Sequence, residues 1–211
     1  MICISISRFE EIAVLRDREV ELVELRLDQI AMDPSEIYPS VPARWRTIAT
    51  CRPGAYDDPN RLAWLKSSME LGARFVDAEI ESSRDYLSEL RDVAATRGTA
   101  LILSYHNFDT TPEPVVLTEM LDRCFELGAD IAKIATSVNT REDLLHLLGL
   151  FQLPGRKVVI GMGKMGRIIR IMAPYLGAEF TFASPQKGLE TAPGQLDVMQ
   201  LLEIYKMIDE S

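Results

Sequence analysis

A lysine stands inside the apolar run Ala129-Asp130-Ile131-Ala132-Lys133-Ile134-Ala135-Thr136, a stretch that otherwise reads as a buried β-strand. Taking an ammonium out of water is costly, so Lys133 must either lay its stem along apolar surface and reach solvent, or shed its proton. The unprotonated amine attacks carbonyls. One apolar run earlier, Leu101-Ile102-Leu103-Ser104-Tyr105 closes on His106. A lone histidine at a strand end is commonly structural. Beside a desolvated lysine on the next strand, His106 becomes a general base within reach of the same substrate.

Charged residues close other apolar runs: Glu24 and Arg26, Arg52, Asp77 and Glu79, and further on Arg170 at a helix turn. A spacing of two puts Glu24 on the same strand face as Arg26, and Asp77 on the same face as Glu79. Such pairs are either salt bridges that tie strand ends together or the walls of a pocket with fixed charges.

These residues need elements to position them. Strands are expected at 2–6, 22–27, 47–51, 75–80, 100–104, 130–136, 157–160 and 178–183, with helical periodicity at 59–71, 84–95, 115–127, 141–151, 167–176 and 195–208. Asn139 is a candidate helix cap, and Gly72, Gly98, Gly128 and Gly177 follow helical runs as left-handed stops. Eight strand-helix alternations without a linker predict α/β architecture, a single (β/α)8 TIM barrel of 1–211, with an open doubly wound sheet as the structural alternative. The helices after Ile6 and around 33–38 are abbreviated. Barrel sites lie at the C-terminal strand ends, where the polar residues above fall. The turn-rich 184–194 loop suits a lid over that mouth. Gly161-Met162-Gly163-Lys164-Met165-Gly166 matches a dinucleotide pattern, but the next strand lacks the acidic residue that would hold a ribose, and glycines that let a loop approach a ligand explain it as well.

The 211 residues are 47% hydrophobic and 26% charged, as expected for a soluble globular protein. A net charge of -9 argues against nucleic acid or an anionic membrane as partner, so an anionic substrate would have to be met by local arginines. Cys3, Cys51 and Cys124 read as reduced core residues, and two histidines offer no metal site. The N-terminal Met1-Ile2-Cys3-Ile4-Ser5-Ile6-Ser7 has no signal-peptide pattern, and no segment has the length of a membrane span. A cytoplasmic location is expected.

Taken together, Asp77-Ala78-Glu79, the run ending Ser104-Tyr105-His106-Asn107 with Thr110-Thr111-Pro112 beyond, the Lys133 strand, the 160–166 glycine segment with Arg170, and Ala192-Pro193-Gly194-Gln195 resemble the type I 3-dehydroquinate dehydratase family, in the family's order and nearly end to end. The resemblance implies cis-dehydration of 3-dehydroquinate through a lysine Schiff base in the shikimate pathway, as a homodimer and without metal or organic cofactor. Lys133 would form the imine and His106 would act as acid and base, supported by Glu79. Glu24, Arg26, Arg52, Arg170 and Gln195 would hold the substrate, with Ser5 a weaker carry-over and Met162 lining the pocket. Thr191 stands where the family usually has a lid serine, and the chain begins directly at its first strand, without a segment to close the barrel floor. Two further readings are a class I aldolase, with the glycine turn as its phosphate cup, and a carboxylate-binding protein without turnover.

Overall fold

Short, largely apolar runs buried on both faces build the strands, and 3.6-residue periodicity builds the helices between them. A computed structural model describes residues 1–210. In chain order the elements are β1 (Ile2–Ile6), α1 (Glu11–Leu15), β2 (Leu22–Arg26), α2 (Leu27–Ile30), α3 (Pro34–Ile37), β3 (Arg46–Thr50), α4 (Asp58–Glu70), β4 (Phe75–Glu79), α5 (Arg84–Arg97), β5 (Ala100–Asn107), α6 (Pro114–Glu126), β6 (Ile131–Ser137), α7 (Arg141–Gly149), β7 (Lys157–Met162), α8 (Gly163–Met172), β8 (Thr181–Ser184), β9 (Leu196–Asp197) and α9 (Val198–Asp209). All eight expected strands form, and a ninth of two residues follows the 184–194 loop.

The ladder runs β7-β6-β5-β4-β3-β2-β1-β8-β9, and its pairings are parallel. The sheet curls into a (β/α)8 barrel that is only partly closed. Between β7 and β8 no ladder forms among the described residues, and at the foot of that seam the Glu179 N–H donates to the Lys157 carbonyl at 3.0 Å. Two apolar layers follow from the period of two. One fills the barrel interior, with Leu22, Ile48, Phe75, Ile102, Ile131, Val158 and Phe180. The other lies between barrel and helices and includes Val23, Leu25, Val76, Leu101, Leu103, Ala132 and Ile134. Nearer the C-terminal strand ends the interior face of β1 to β5 turns polar, whereas Ala135, Ile160, Met162 and Phe182 keep it apolar on β6 to β8 apart from Lys133, so the charged pairs of β2 and β4 lie inside the barrel mouth. No helix among the described residues is long and apolar enough to cross a membrane.

Three local expectations are corrected. The cap of α7 is Thr140 rather than Asn139, since Thr140 and Asp143 form a reciprocal capping box while Asn139 donates its own N–H to Asp143. Helix α8 begins at Gly163 rather than near Arg167. The glycine-rich turn exists for packing: a Cβ on Gly161 would lie 2.7 Å from Gly166 Cα, and one on Gly166 would collide with the Gly161 backbone. The two glycines let the first turn of α8 sit directly on the end of β7. Gly166→Ala should therefore cost about 1–3 kcal/mol by overpacking, read as a lowered melting temperature, and should raise KM because Arg170 rides on the same helix.

Candidate active site

The interior registers explain which side chains meet. Ser5 pairs with Glu24, Thr50 with Asp77, Glu79 with Ser104 and Ser104 with Lys133, so adjacent strands contribute polar residues at matched heights. His106 and Ala135 form the next interior step toward the mouth. All eleven residues singled out from the sequence, Ser5, Glu24, Arg26, Arg52, Glu79, His106, Lys133, Met162, Arg170, Thr191 and Gln195, line a single cavity of about 580 Å³.

Lys133 is 3% exposed and lies on an interior strand of the ladder, so its head does not reach solvent along a sheet edge. The apolar run that carries it in the sequence does not set its polar surroundings. Instead its Nζ donates to Asp77 Oδ2 at 2.8 Å, stands 3.8 Å from Glu24 Oε1 and lies 4.5 Å from the centroid of the Phe182 ring. Asp77 is fully enclosed. Arg52 grips it with two bonds, Nη1 to Oδ1 at 3.0 Å and Nη2 to Oδ2 at 2.8 Å, and Ser104 Oγ donates to Oδ1 at 2.6 Å. Burial alone would raise this carboxyl, but Arg52 and Lys133 overcome it and hold it well below the usual carboxylate range. Glu24 accepts from Ser5 Oγ at 2.9 Å and Thr50 Oγ1 at 3.0 Å.

His106 Nδ1 lies 2.9 Å from Glu79 Oε2. Burial would raise the Glu79 carboxyl, but Arg52, whose Nη1 is 3.0 Å from Oε1, and His106 hold it below its ordinary value. An ionised carboxylate only accepts, so Nδ1 carries the hydrogen and Nε2 of the neutral ring carries the free lone pair. Burial, then Arg52, push the imidazole below its ordinary pKa, and the Glu79 bond offsets this in part. Neutral His106 is thus a ready base.

Arg26 is held by a fork to Asp28 at 3.1 and 2.7 Å. Arg170 differs: it is 1% exposed, its Nε donates to the Gly161 carbonyl at 3.2 Å, and its Nη2 has no hydrogen-bond partner. No carboxylate of the described residues pairs with it, and burial lowers its pKa to about 10. A buried, unpaired guanidinium in a cavity wall is a receptor for an anion.

The 184–194 loop folds against this cavity. Thr191 donates to Gln195 Oε1 through N–H at 2.8 Å and Oγ1 at 3.2 Å, and Gln195 Nε2 reaches Ser5 Oγ at 3.5 Å. The Gly163 N–H donates to the Pro193 carbonyl at 3.0 Å, and a Cβ on Gly194 would collide with the Gly163 backbone. That engagement takes the first amide of α8, which weakens the phosphate-cup reading of the glycine turn. The sequence pattern pairs Asp77 with Glu79 without linking it to Lys133, and it does not single out Phe182. Asp77 was visible as the same-face neighbour of Glu79, and Phe182 as an interior position of the last full strand.

Fold and cavity together define a class, the (β/α)8 barrels that carry a lysine-centred polar site at the C-terminal mouth of their strands. Comparison with known proteins narrows the class. The model of the family described as Type I 3-dehydroquinase matches residues 3–211. A 3-dehydroquinate dehydratase of Methanocaldococcus jannaschii is 36% identical over 90% of this chain and 88% of its own length. One of Methanococcus vannielii is 34% identical over 99% of this chain and 100% of its own. Among solved structures, the 3-dehydroquinate dehydratase of Aquifex aeolicus VF5 has a TM-score of 0.86 at 30% identity and covers 98% of both chains. The chain belongs to the type I 3-dehydroquinase family.

Proposed function

We propose that the chain is a hydro-lyase that dehydrates 3-dehydroquinate to 3-dehydroshikimate through a Schiff base on Lys133, the third step of chorismate and aromatic amino-acid biosynthesis. The observation that carries this reading is the Lys133 nitrogen, held 2.8 Å from Asp77 in the same cavity as the His106–Glu79 pair and the unpaired Arg170 guanidinium.

The substrate has a ketone, an adjacent methylene, and a tertiary hydroxyl one carbon further, beside a carboxylate. A ketone alone stabilises a carbanion poorly. Condensation with Lys133 makes an iminium, an electron sink that acidifies the methylene. His106 Nε2 takes the proton and returns it to the departing hydroxyl, so one residue serves both half-steps. Arg170 binds the carboxylate and orients the ring, with Arg26, Arg52, Glu24 and Gln195 around the hydroxyls. Residues 1–211 act as one catalytic unit, with 184–194 as a lid whose Thr191 and Gln195 keep bulk water from the imine. From the family resemblance the enzyme works in the cytoplasm as a homodimer, a state that sedimentation would reveal.

Borohydride reduction with and without 3-dehydroquinate, followed by intact mass and peptide mapping, tests the proposal. A substrate-dependent adduct on Lys133 is expected, and a folded protein that gains no adduct would overturn it. Arg170→Met should raise KM by about 100-fold through loss of a charge-assisted pair. It should leave the melting temperature unchanged or higher, because a buried cation without a counter-ion is removed. A parallel loss of stability and affinity would contradict the assignment of Arg170.

A further inference from the structure

Two carboxylates, Asp77 and Glu24, stand within 4 Å of the Lys133 nitrogen and a third, Glu79, lines the same cavity, and their bonding separates their roles. Glu79 is committed to His106 and Arg52. Glu24 is committed to Ser5 and Thr50 and stands 3.8 Å from the nitrogen. Asp77 alone of the three lies within hydrogen-bond distance, and its two oxygens already take four bonds from Arg52, Ser104 and Lys133. No lone pair is left facing the cavity to receive a proton. On another side the Phe182 ring presents to the same nitrogen, and both contacts attract positive charge.

Building on the proposed imine at Lys133, we infer that Asp77 is a further catalytic residue, the fixed counter-ion that seats the lysine nitrogen and stabilises the iminium formed on it, without accepting a proton. The charge balance of the reaction fits this role. The lysine gives up one proton so that the free amine can attack, and that proton returns as the carbinolamine hydroxyl leaves as water, so overall an ammonium and a ketone give an iminium and one water and the nitrogen carries one positive charge before and after. Removal of the methylene proton by His106 sends the C–H electron pair into the ring and leaves a neutral enamine. That pair then forms the new carbon–carbon double bond as the C–O bond breaks, the hydroxyl leaves as water with the proton from His106, and the nitrogen is positive again. Hydrolysis of the product iminium consumes one water and restores the ammonium. A carboxylate fixed by Arg52 and Ser104 suits the resting enzyme and both iminium states without rearrangement, and it favours the eliminating step, in which positive charge returns to nitrogen.

The test separates charge from shape. Asp77→Asn keeps the shape and removes the charge, and its kcat should fall by about 100-fold or more with KM within about threefold. Ser104→Ala loosens the seat and keeps the charge, and its kcat should stay within about tenfold. A kcat for Asp77→Asn within tenfold of the parent, or a loss in Ser104→Ala as large as in Asp77→Asn, overturns the inference. Should Asp77→Asn fail to fold, the parent protein with 15N-labelled lysine decides by NMR. With substrate and product at equilibrium, the Lys133 adduct nitrogen should remain protonated to the alkaline end of the activity range, and a neutral imine there overturns the counter-ion role. A parent that forms no borohydride adduct removes the imine proposal and this inference together, whereas a normal parent adduct with an unimpaired variant removes only the inference.

Discussion

Replacing Lys133 by alanine is expected to abolish the substrate-dependent borohydride adduct and to lower kcat by on the order of 10⁵-fold, the scale of losing a nucleophile from a covalent pathway. Without the amine the ketone must stabilise the carbanion itself, and no other lysine lines the cavity to replace it. The variant leaves Asp77 paired with Arg52, and buried Glu24 loses its cation at 3.8 Å but keeps the bonds from Ser5 and Thr50. Folding should survive, with a stability loss at the low end of that for a broken buried pair, about 3 kcal/mol. Circular dichroism and intact mass on the same sample separate the outcomes. A folded variant with ordinary turnover would mean that the reaction does not pass through an imine at this residue.

Much of this site was legible because β-strands have a period of two. Glu24 with Arg26 and Asp77 with Glu79 could only share a face, and outward positions on a barrel must be apolar to pack against helices, so these pairs had to face inward. Lys133 stood out by the same argument. Strand ends were less legible: β5 runs on to Asn107, whereas the apolar run stops at Ser104, because Tyr105, His106 and Asn107 keep pairing with β6 although they are polar or amphipathic. The start of α8 was hidden because glycines that signal a loop are used here for contact between β7 and the helix. The partner of Lys133 was the hardest to foresee. Asp77 reaches it from β4, two strands away around the ladder, and periodicity within one strand carries no information about which of several inward carboxylates comes to hydrogen-bond distance. The open seam between β7 and β8 was equally invisible, since both segments read as ordinary buried strands.

His106→Ala should leave Lys133 able to form the adduct while lowering dehydration by about 10³–10⁴-fold, the range for loss of a positioned acid and base. The split follows from geometry. The lysine nitrogen is seated by Asp77 and Phe182, neither of which depends on the imidazole, whereas Nε2 is the nitrogen left free to move the substrate's proton. The pH profile gives the sign. Burial and Arg52 hold the folded-state pKa of His106 below the ordinary 6.5, so its neutral, basic form persists to lower pH than in a free imidazole. The limb due to His106 should therefore lie on the acid side of 6.5 and vanish in His106→Ala. Glu79→Gln removes the negative charge that partly offsets that depression, so the limb should move further toward acid. Its plateau should also fall by about tenfold, because a neutral amide can either donate or accept and no longer enforces the Nδ1–H tautomer. A limb that shifts toward alkali in Glu79→Gln would mean that Glu79 does not act on His106 through charge, and the assignment of Nε2 as the base would go with it.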